Sequence, residues 1–299
     1  MMDRKPWHGV LVATALPWKN DDTPDLDAYA THVRWLAANG CDGVTPNGSL
    51  GEYQVLTDAQ RDAVVHAAVQ AAPDGFTVMP GIAAYGAKQA RRHAEVAAEA
   101  GCPAVMLLPP NSYKARPDDV VEHYRIVAEA GVPIVAYNNP FDTKVDLVPE
   151  LLARLYHEGL IVAVKEFSGD VRRFYELREL VPDLDVLAGS DDVVLELGLT
   201  GSPGWIAGYP NVFPASCVEL FAAAQARDLD KALPLYYALH SLLRWDSKTE
   251  FVQAIKLSMD LNPDAIDGGR CQPPRGPLSD ADSAVIREAT EKAMAAGLR

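Results

Sequence analysis

Lys165 stands where a buried segment meets a loop, a position suited to nucleophilic chemistry. Residues 160–164 form a short, β-branched apolar run, which predicts a strand buried on both faces. Residues 168–170 then turn, and a helical pattern follows. A lysine amine among apolar strands loses its proton more readily, and a neutral amine can attack a ketone to form a Schiff base. The alternative is a lysine that merely extends its charge to solvent from a strand end.

Two other short segments carry groups suited to the same chemistry. Residues 48–52 form a glycine-rich turn whose backbone N–H groups can converge on a carboxylate, with the Ser49 hydroxyl accepting or passing a proton. Tyr137 ends the strand next to that of Lys165, where a phenol can transfer protons near a bound keto acid. An ordinary glycine turn and a packing tyrosine are the alternatives. The expected closeness of Tyr137 and Lys165 on one rim favours a shared site.

A pair of acidic residues, Asp191 and Asp192, follows the seventh predicted strand. Paired carboxylates can bind the hydroxyl groups of a substrate. They can equally cap the next helix and stabilise its positive end. Both interpretations disfavour a phosphate-binding loop here, because the carboxylates would repel the phosphate.

The elements that position these residues alternate between strand and helix. Eight strand-like segments, each followed by a helical pattern, favour a closed (β/α)8 TIM barrel in the α/β class over an open doubly wound sheet. No Gly-rich dinucleotide fingerprint follows the first strand. The predicted strands are residues 9–16, 42–46, 76–80, 103–108, 133–137, 160–165, 184–188 and 203–206.

The strand pattern stops near residue 226. Helical patterns then cover residues 229–245, 249–261 and 279–296, and a Pro/Gly-rich link precedes the last of them. We therefore predict a barrel over residues 1–226 and a C-terminal extension of three helices over residues 227–299, packed on the barrel.

Composition limits the possible partners. The formal net charge of −14 argues against binding to nucleic acid or to an anionic membrane surface, although a local site can still bind a small anion. No apolar run approaches the length of a membrane span, and the first residues carry no secretory segment, so we expect a cytoplasmic protein. The cysteines lie far apart and are expected to be packing residues in a reducing compartment: Cys41, Cys102, Cys217 and Cys271.

No cluster of histidine, cysteine and carboxylate side chains has metal-ligand spacing. We therefore expect no metal and no other cofactor.

Together these segments resemble the dihydrodipicolinate synthase and N-acetylneuraminate lyase family. Residues 48–52 resemble its G-[ST]-[TS]-G-E signature, and residues 137–140 resemble its Y-N-x-P element. Residues 165–170 resemble K-[ED]-x-[ST]-G-D, and residues 189–192 resemble G-x-D-[DE]. The four motifs stand in the family's order at matching strand ends. The resemblance implies a homo-oligomeric TIM barrel, either a tetramer or a dimer.

The resemblance also implies roles for individual residues. Lys165 would form a Schiff base with pyruvate or another 2-keto acid, and Tyr137 and Ser49 would act with it in catalysis. Apart from the resemblance, we expect the second half of the substrate to be a hydroxylated chain that contacts Asp191 or Asp192. The positions implied to contact the keto acid are Gly48, Ser49, Leu50, Gly189 and Ile206.

The chain departs from the family's pattern around the implied site. Leu50 replaces a second hydroxyl residue and so shortens the usual relay to Tyr137. In the loop after the fourth strand, Asn111 and Ser112 stand where the synthases carry a tyrosine pair, and Tyr113 is one step away.

A further departure concerns the second substrate. Asp142 stands where dihydrodipicolinate synthases carry an arginine that binds the carboxylate of the aldehyde, and Lys144 lies two residues farther on. We therefore expect a Schiff-base lyase or aldolase outside lysine biosynthesis. The alternatives are a dehydratase or deaminase acting through the same imine, a 4-hydroxy-tetrahydrodipicolinate synthase, and a barrel that binds a carboxylate without turnover.

Overall fold

The computed structural model describes residues 4–299. Eight parallel strands form one sheet in the order β3-β2-β1-β8-β7-β6-β5-β4. A parallel bridge between Gly81 and Met106 joins its two ends, so the sheet closes into the predicted (β/α)8 barrel. The strands are β1 (Gly9–Ala13), β2 (Gly43–Thr45), β3 (Thr77–Val78), β4 (Val105–Leu107), β5 (Ile134–Asn138), β6 (Ala163–Glu166), β7 (Asp185–Ala188) and β8 (Gly204–Ala207).

Helices surround the barrel and continue beyond it. Those of the barrel are α1 (Leu26–Ala38), α2 (Asp58–Ala71), α3 (Ala87–Glu99), α4 (Pro117–Ala128), α5 (Pro140–Thr143), α6 (Pro149–His157), α7 (Arg172–Leu180), α8 (Val194–Thr200) and α9 (Pro214–Gln225). The extension contains α10 (Leu229–Leu243), α11 (Phe251–Leu261) and α12 (Asp280–Ala295). The division of the chain at residue 226 stays a prediction.

Several predicted boundaries are wrong for identifiable local reasons. The first strand ends at Ala13 and not at residue 16, because the backbone N–H of Ala15 donates to the Asn211 side chain instead of to a neighbouring strand. The short helix α5 was not predicted. Asn139 caps it by accepting a hydrogen bond from the backbone N–H of Asp142.

Alternation along the strands separates two apolar layers. Val164 packs in the outer layer between sheet and helices, whereas Ala163 packs in the layer inside the barrel. Because successive strand residues face opposite sides, Lys165 lies on the inner side, like Ala163. The alternation of inward-facing and outward-facing residues along β6 therefore directs the Lys165 side chain into the barrel.

The extension is attached to the barrel by a buried ion pair. Lys256 Nζ on α11 lies 2.8 Å from Glu52 Oε2 in the loop after β2, and both side chains are almost fully buried. Lys256 Nζ also donates to the carbonyl oxygens of Leu16 and Arg270. The turn at residues 48–52 is thereby connected directly to the C-terminal helices.

Candidate active site

Lys165 and Tyr137 occupy adjacent positions on neighbouring strands. They are register partners on β6 and β5, and each is about 5% exposed. Lys165 Nζ lies 4.4 Å from the centroid of the Tyr137 ring and 5.7 Å from that of Phe167. The structure therefore places the amine inside the barrel mouth, between two aromatic rings.

The Lys165 amine has no close anionic partner. Within residues 4–299, no ion pair within 4.0 Å joins it to a carboxylate. Burial lowers the pKa of Lys165, and the negative charges of Asp246 and Asp191 oppose this effect. Desolvation disfavours the ammonium form, so burial favours the neutral, nucleophilic amine.

The Tyr137 hydroxyl receives a hydrogen bond from an amide that the sequence did not single out. Asn139 Nδ2 donates to Tyr137 Oη at 3.3 Å and also to Asp142 Oδ2 at 2.9 Å. The proton of the phenol is therefore free to be donated elsewhere. Burial raises the pKa of Tyr137 well above its ordinary value, and the Asp246 charge adds to the rise. At neutral pH this group is therefore a phenol, which is able to donate a proton.

The glycine-rich turn presents backbone donors beside these side chains. Within residues 4–299, the N–H groups of Gly48, Ser49 and Leu50 have no protein acceptor. Asn47 and Glu52 flank the turn, and both adopt positive φ angles of 56° and 53°. The Glu52 carboxylate is held by Trp18 Nε1, the backbone N–H of Gln272 and Lys256. The turn is thus fixed at both ends, with its donors unoccupied.

The other candidate residues surround the lysine without lining the cavity. Ile206 is 1% exposed and belongs to the apolar layer inside the barrel, as Tyr137 does. Gly189 passes so close to β6 that a Cβ atom there would lie 2.4 Å from the Glu166 carbonyl oxygen and 3.0 Å from Lys165 Cγ. A glycine at this position therefore allows the close packing behind the lysine.

Asp191 is fully buried, and its carboxylate accepts hydrogen bonds from Trp205 Nε1 and from the backbone N–H groups of Gly208 and Tyr209. Burial raises its pKa to about 6, and these hydrogen bonds oppose the rise. The expectation that Asp191 or Asp192 caps the next helix by a side-chain hydrogen bond is wrong, since no side chain caps the 3₁₀ turn Asp191–Val193 or α8. Both acids lie in the first turn of that 3₁₀ segment, so stabilisation of its positive end stays a prediction. Substrate binding by Asp191 stays a prediction.

One cavity of about 280 Å³ contains most of these groups. The barrel contributes the predicted residues Lys165, Tyr137, Gly48, Ser49 and Leu50. The loop after β5 contributes Asn139, Phe141, Asp142 and Lys144, and the link between α10 and α11 contributes Asp246, Ser247, Lys248 and Thr249. The C-terminal extension therefore forms part of the cavity wall.

Asp246 and Asn139 are the residues that sequence reasoning missed. Asp246 directly follows the helix predicted over residues 229–245, and an aspartate at that place does not by itself indicate a buried site. Asn139 lies inside a quoted motif, but only the start of α5 turns its amide toward Tyr137. Asp246 carries no local signal, because packing of the C-terminal extension on the barrel brings it into the cavity of Lys165.

Within residues 4–299, no group of three or more histidine, cysteine or acidic residues is arranged to hold a metal ion. Among the same residues, no helix combines the length and the apolar character that crossing a membrane requires.

Comparison with known proteins identifies the family. The pattern of the dihydrodipicolinate synthetase family matches residues 6–293. The chain belongs to this family. The family consists of Schiff-base lyases and aldolases of the pyruvate type, so the chain is an enzyme of that class.

Relatives match along nearly the full length. The chain is 33% identical to a 4-hydroxy-tetrahydrodipicolinate synthase of Anaeromyxobacter dehalogenans, over 94% of this chain and 95% of the relative. It is 30% identical to an uncharacterized DapA-like lyase of Halobacterium salinarum, over 93% and 91% of the two chains. A crystal structure of dihydrodipicolinate synthase from Aquifex aeolicus superposes with a TM-score of 0.89 at 26% identity, covering 96% of this chain and 98% of that one.

Proposed function

We propose that this family member forms an imine between Lys165 and a 2-keto acid of the pyruvate type, and then makes or breaks the adjacent carbon–carbon bond. The observation that carries the proposal is the buried Lys165 amine, which lacks an ion-pair partner within 4.0 Å among residues 4–299 and faces Tyr137 inside a cavity. The cavity volume of about 280 Å³ is near the lower limit of ligand pockets, roughly 300–1,000 Å³. A small substrate fits this volume.

The keto acid is oriented by the turn before α2. The unoccupied N–H groups of Gly48, Ser49 and Leu50 bind its carboxylate, and the Ser49 hydroxyl adds a further donor. This orientation brings the keto carbon toward the Lys165 amine. Condensation gives an iminium that withdraws electrons from the adjacent carbon and lowers the barrier to forming or breaking its bond. Tyr137 exchanges the proton that the bond change requires.

The second half of the substrate meets a wall that contains Asp142. Asn139 fixes this carboxylate with a hydrogen bond of 2.9 Å. A fixed negative charge in the wall opposes a second carboxylate and favours a hydroxylated or cationic group. We therefore assign an aldol-type cleavage or condensation with an aldehyde that carries no carboxylate near Asp142.

A second candidate is 4-hydroxy-tetrahydrodipicolinate synthesis, because relatives more than 30% identical carry that name. This reaction condenses the imine with an aldehyde that bears a carboxylate, which Asp142 disfavours. Incubation with pyruvate and aspartate semialdehyde tests this candidate directly. Rapid product formation would show that Lys144 or another cation compensates for Asp142. Release of water or ammonia from a hydroxylated keto acid would instead indicate a dehydratase or a deaminase.

We also propose a homo-oligomer in a reducing, cytoplasmic compartment. Exposed aromatic side chains support association, with Tyr85 about 75% and Tyr113 about 54% exposed. All four cysteines are free thiols, which supports a reducing compartment. Light scattering coupled to size-exclusion chromatography measures the oligomeric state, and a monomer at micromolar concentration contradicts this proposal.

Borohydride reduction in the presence of pyruvate tests the imine. We expect one adduct by intact mass, and peptide mapping should place it on Lys165. Lys165→Arg should give none, whereas Lys292→Arg, which changes an exposed lysine on α12, should keep it. An adduct on Lys144 or Lys248, or no adduct on the wild type, contradicts the proposal.

A further inference from the structure

Asp246 is a buried acid in the cavity that the imine chemistry above does not use. It lies between α10 and α11, so the C-terminal extension brings it to the barrel mouth. The residue is 8% exposed and lines the same cavity as Lys165 and Tyr137. A carboxyl group buried beside a reactive amine requires stabilising partners or a chemical role.

The two buried acids near Lys165 have unequal hydrogen bonding. Asp191 accepts three N–H donors, from Trp205, Gly208 and Tyr209, at 2.9–3.0 Å. Within residues 4–299, Asp246 accepts only the backbone N–H of Asp191, at a long 3.4 Å. The negative charge is therefore better stabilised on Asp191, and Asp246 is the acid that retains a proton.

Burial favours the uncharged form of both the Lys165 amine and the Asp246 carboxyl group. It raises the pKa of Asp246 well above its ordinary value, with the Asp191 charge adding to the rise, and it lowers the pKa of Lys165. A neutral amine facing a neutral acid is therefore favoured over a buried ion pair. Among residues 4–299, Lys165 Nζ has no carboxylate oxygen within 4.0 Å, so a substrate atom can lie between this amine and the Asp246 carboxyl group.

Gly208 leaves room for the Asp246 carboxyl group. A Cβ atom at Gly208 would lie 2.7 Å from Asp246 Oδ1 and 3.4 Å from Asp191 Oδ2. The turn after β8 therefore approaches both carboxyl groups more closely than a larger residue would allow. The position of Asp246 is thus set by the barrel as well as by its own loop.

We propose that Asp246 is the catalytic acid of imine formation and then the counter-ion of the iminium. This inference rests on the proposed function of Lys165. The neutral amine adds to the keto carbon, and proton transfer gives a neutral carbinolamine. Asp246 donates its proton to the carbinolamine hydroxyl, the carbon–oxygen bond breaks, and water leaves. The nitrogen lone pair forms the carbon–nitrogen double bond, so the products are an iminium, a water molecule and the Asp246 carboxylate.

Asp246 suits this step better than Tyr137 does. A carboxylic acid is a stronger proton donor than a phenol, and the pKa of Tyr137 is itself raised well above its ordinary value. Leu50 lines the cavity and offers no hydroxyl group to relay a proton to Tyr137. The step leaves a positively charged iminium beside the Asp246 carboxylate, and the attraction between them offsets part of the cost of burying each charge.

Other charged or titratable groups face Asp246 and contribute to the pH dependence of this step. They come from β5, β6, the turn after β7 and the turn after β8: Tyr137, Lys165, Asp191, Asp192 and Tyr209. The pKa values of Asp246, Asp191 and Lys165 depend on one another, so a measured pH profile belongs to these three groups together.

The test is the rate of pyruvate adduct formation, measured by rapid mixing, borohydride quenching and intact mass. Asp246→Asn preserves shape but carries no acidic proton, and we expect the rate constant to fall about 100-fold, at the low end of general-acid effects. Glu250→Gln is the matched control, since it removes a carboxylate from the same link without lining the cavity, and it should react like the wild type. In Asp246→Ala, added formic acid should restore the rate in proportion to its concentration.

The pH profile separates catalysis from a structural role. The wild-type rate should fall at alkaline pH, where Asp246 loses its proton, and Asp246→Asn should lack that decline. A wild-type rate in Asp246→Asn, or a slow Asp246→Ala that formate does not accelerate, would overturn the acid role while the Lys165 imine stands. If Asp246→Ala does not fold, the isosteric Asp246→Asn profile still decides. No adduct on the wild type would instead refute the proposed function itself.

Discussion

Removal of the Lys256 side-chain charge should destabilise the protein far more than an ordinary surface substitution. At 2.8 Å, two unit charges attract by about 6 kcal/mol at an effective dielectric constant of about 20. Desolvation of each ion costs several kcal/mol, so the intact pair contributes little net stability. Lys256→Met, however, leaves the Glu52 carboxylate buried without its cation and removes the donor to two carbonyl oxygens. We expect the free energy of unfolding to fall by about 3–5 kcal/mol.

Urea unfolding followed by tryptophan fluorescence measures this change. Lys292→Met, which removes an exposed lysine on α12, should lie within about 0.5 kcal/mol of the wild type. The double variant Glu52→Gln, Lys256→Met should recover part of the loss, because no uncompensated charge remains buried. A loss below about 1 kcal/mol in Lys256→Met would refute the reasoning. Since Glu52 ends the turn that we propose binds the substrate carboxylate, we also expect KM for the keto acid to rise in the folded single variant.

Three further outcomes follow from the geometry. Tyr137→Phe should lower kcat by about 100-fold or more while still allowing borohydride trapping, and an unchanged kcat would contradict proton transfer by this phenol. Gly189→Ala places a methyl group 2.4 Å from the Glu166 carbonyl oxygen, so unfolding by urea should show a loss of about 1–3 kcal/mol, and unchanged stability would contradict the packing argument. Burial raises the pKa of Asp185, but hydrogen bonds from His8, Lys5 and Trp7 outweigh this effect and lower the pKa to about 2. The ionised carboxylate therefore contributes about 2 kcal/mol of stability above pH 4, and this contribution is lost as pH falls toward 2. Asp185→Asn should remove that acid-induced loss in pH-dependent unfolding; an unaltered slope would show that another group causes it.

The barrel was predictable because its signals are local. Each strand is a short apolar run between a helix and a turn, and the eightfold repetition of this pattern specifies a parallel barrel. The inward direction of Lys165 follows from the period of two, and its closeness to Tyr137 follows from consecutive βα units forming adjacent strands. The predicted ends of elements were wrong where a backbone N–H donates to a side chain instead of to another backbone group, as at Ala15 and at the Asn139 cap of α5.

The charge distribution of the cavity was not predictable, because it depends on contacts between distant segments. Asp246 reaches Lys165 only after the C-terminal helices have packed on the barrel, so no spacing in the sequence links the two residues. The carboxylates also differ in ways that residue type does not reveal. Asp191 accepts several N–H donors, whereas Asp246 accepts one long hydrogen bond within residues 4–299.

The lysines near the cavity mouth do not neutralise its acidic wall. Lys144 Nζ donates to the Phe141 carbonyl oxygen, and Lys248 Nζ lies 3.6 Å from the centroid of the Trp245 ring, so both amines are drawn toward neighbours in their own loops. Asp142 is instead held toward the cavity by Asn139. Two carboxylates about 4 Å apart repel each other by about 1 kcal/mol in bulk water and by about 4 kcal/mol near a protein surface. These energies correspond to a loss of affinity of roughly 5-fold and roughly 1,000-fold. That range is wide enough for one side chain to decide which aldehyde the imine accepts.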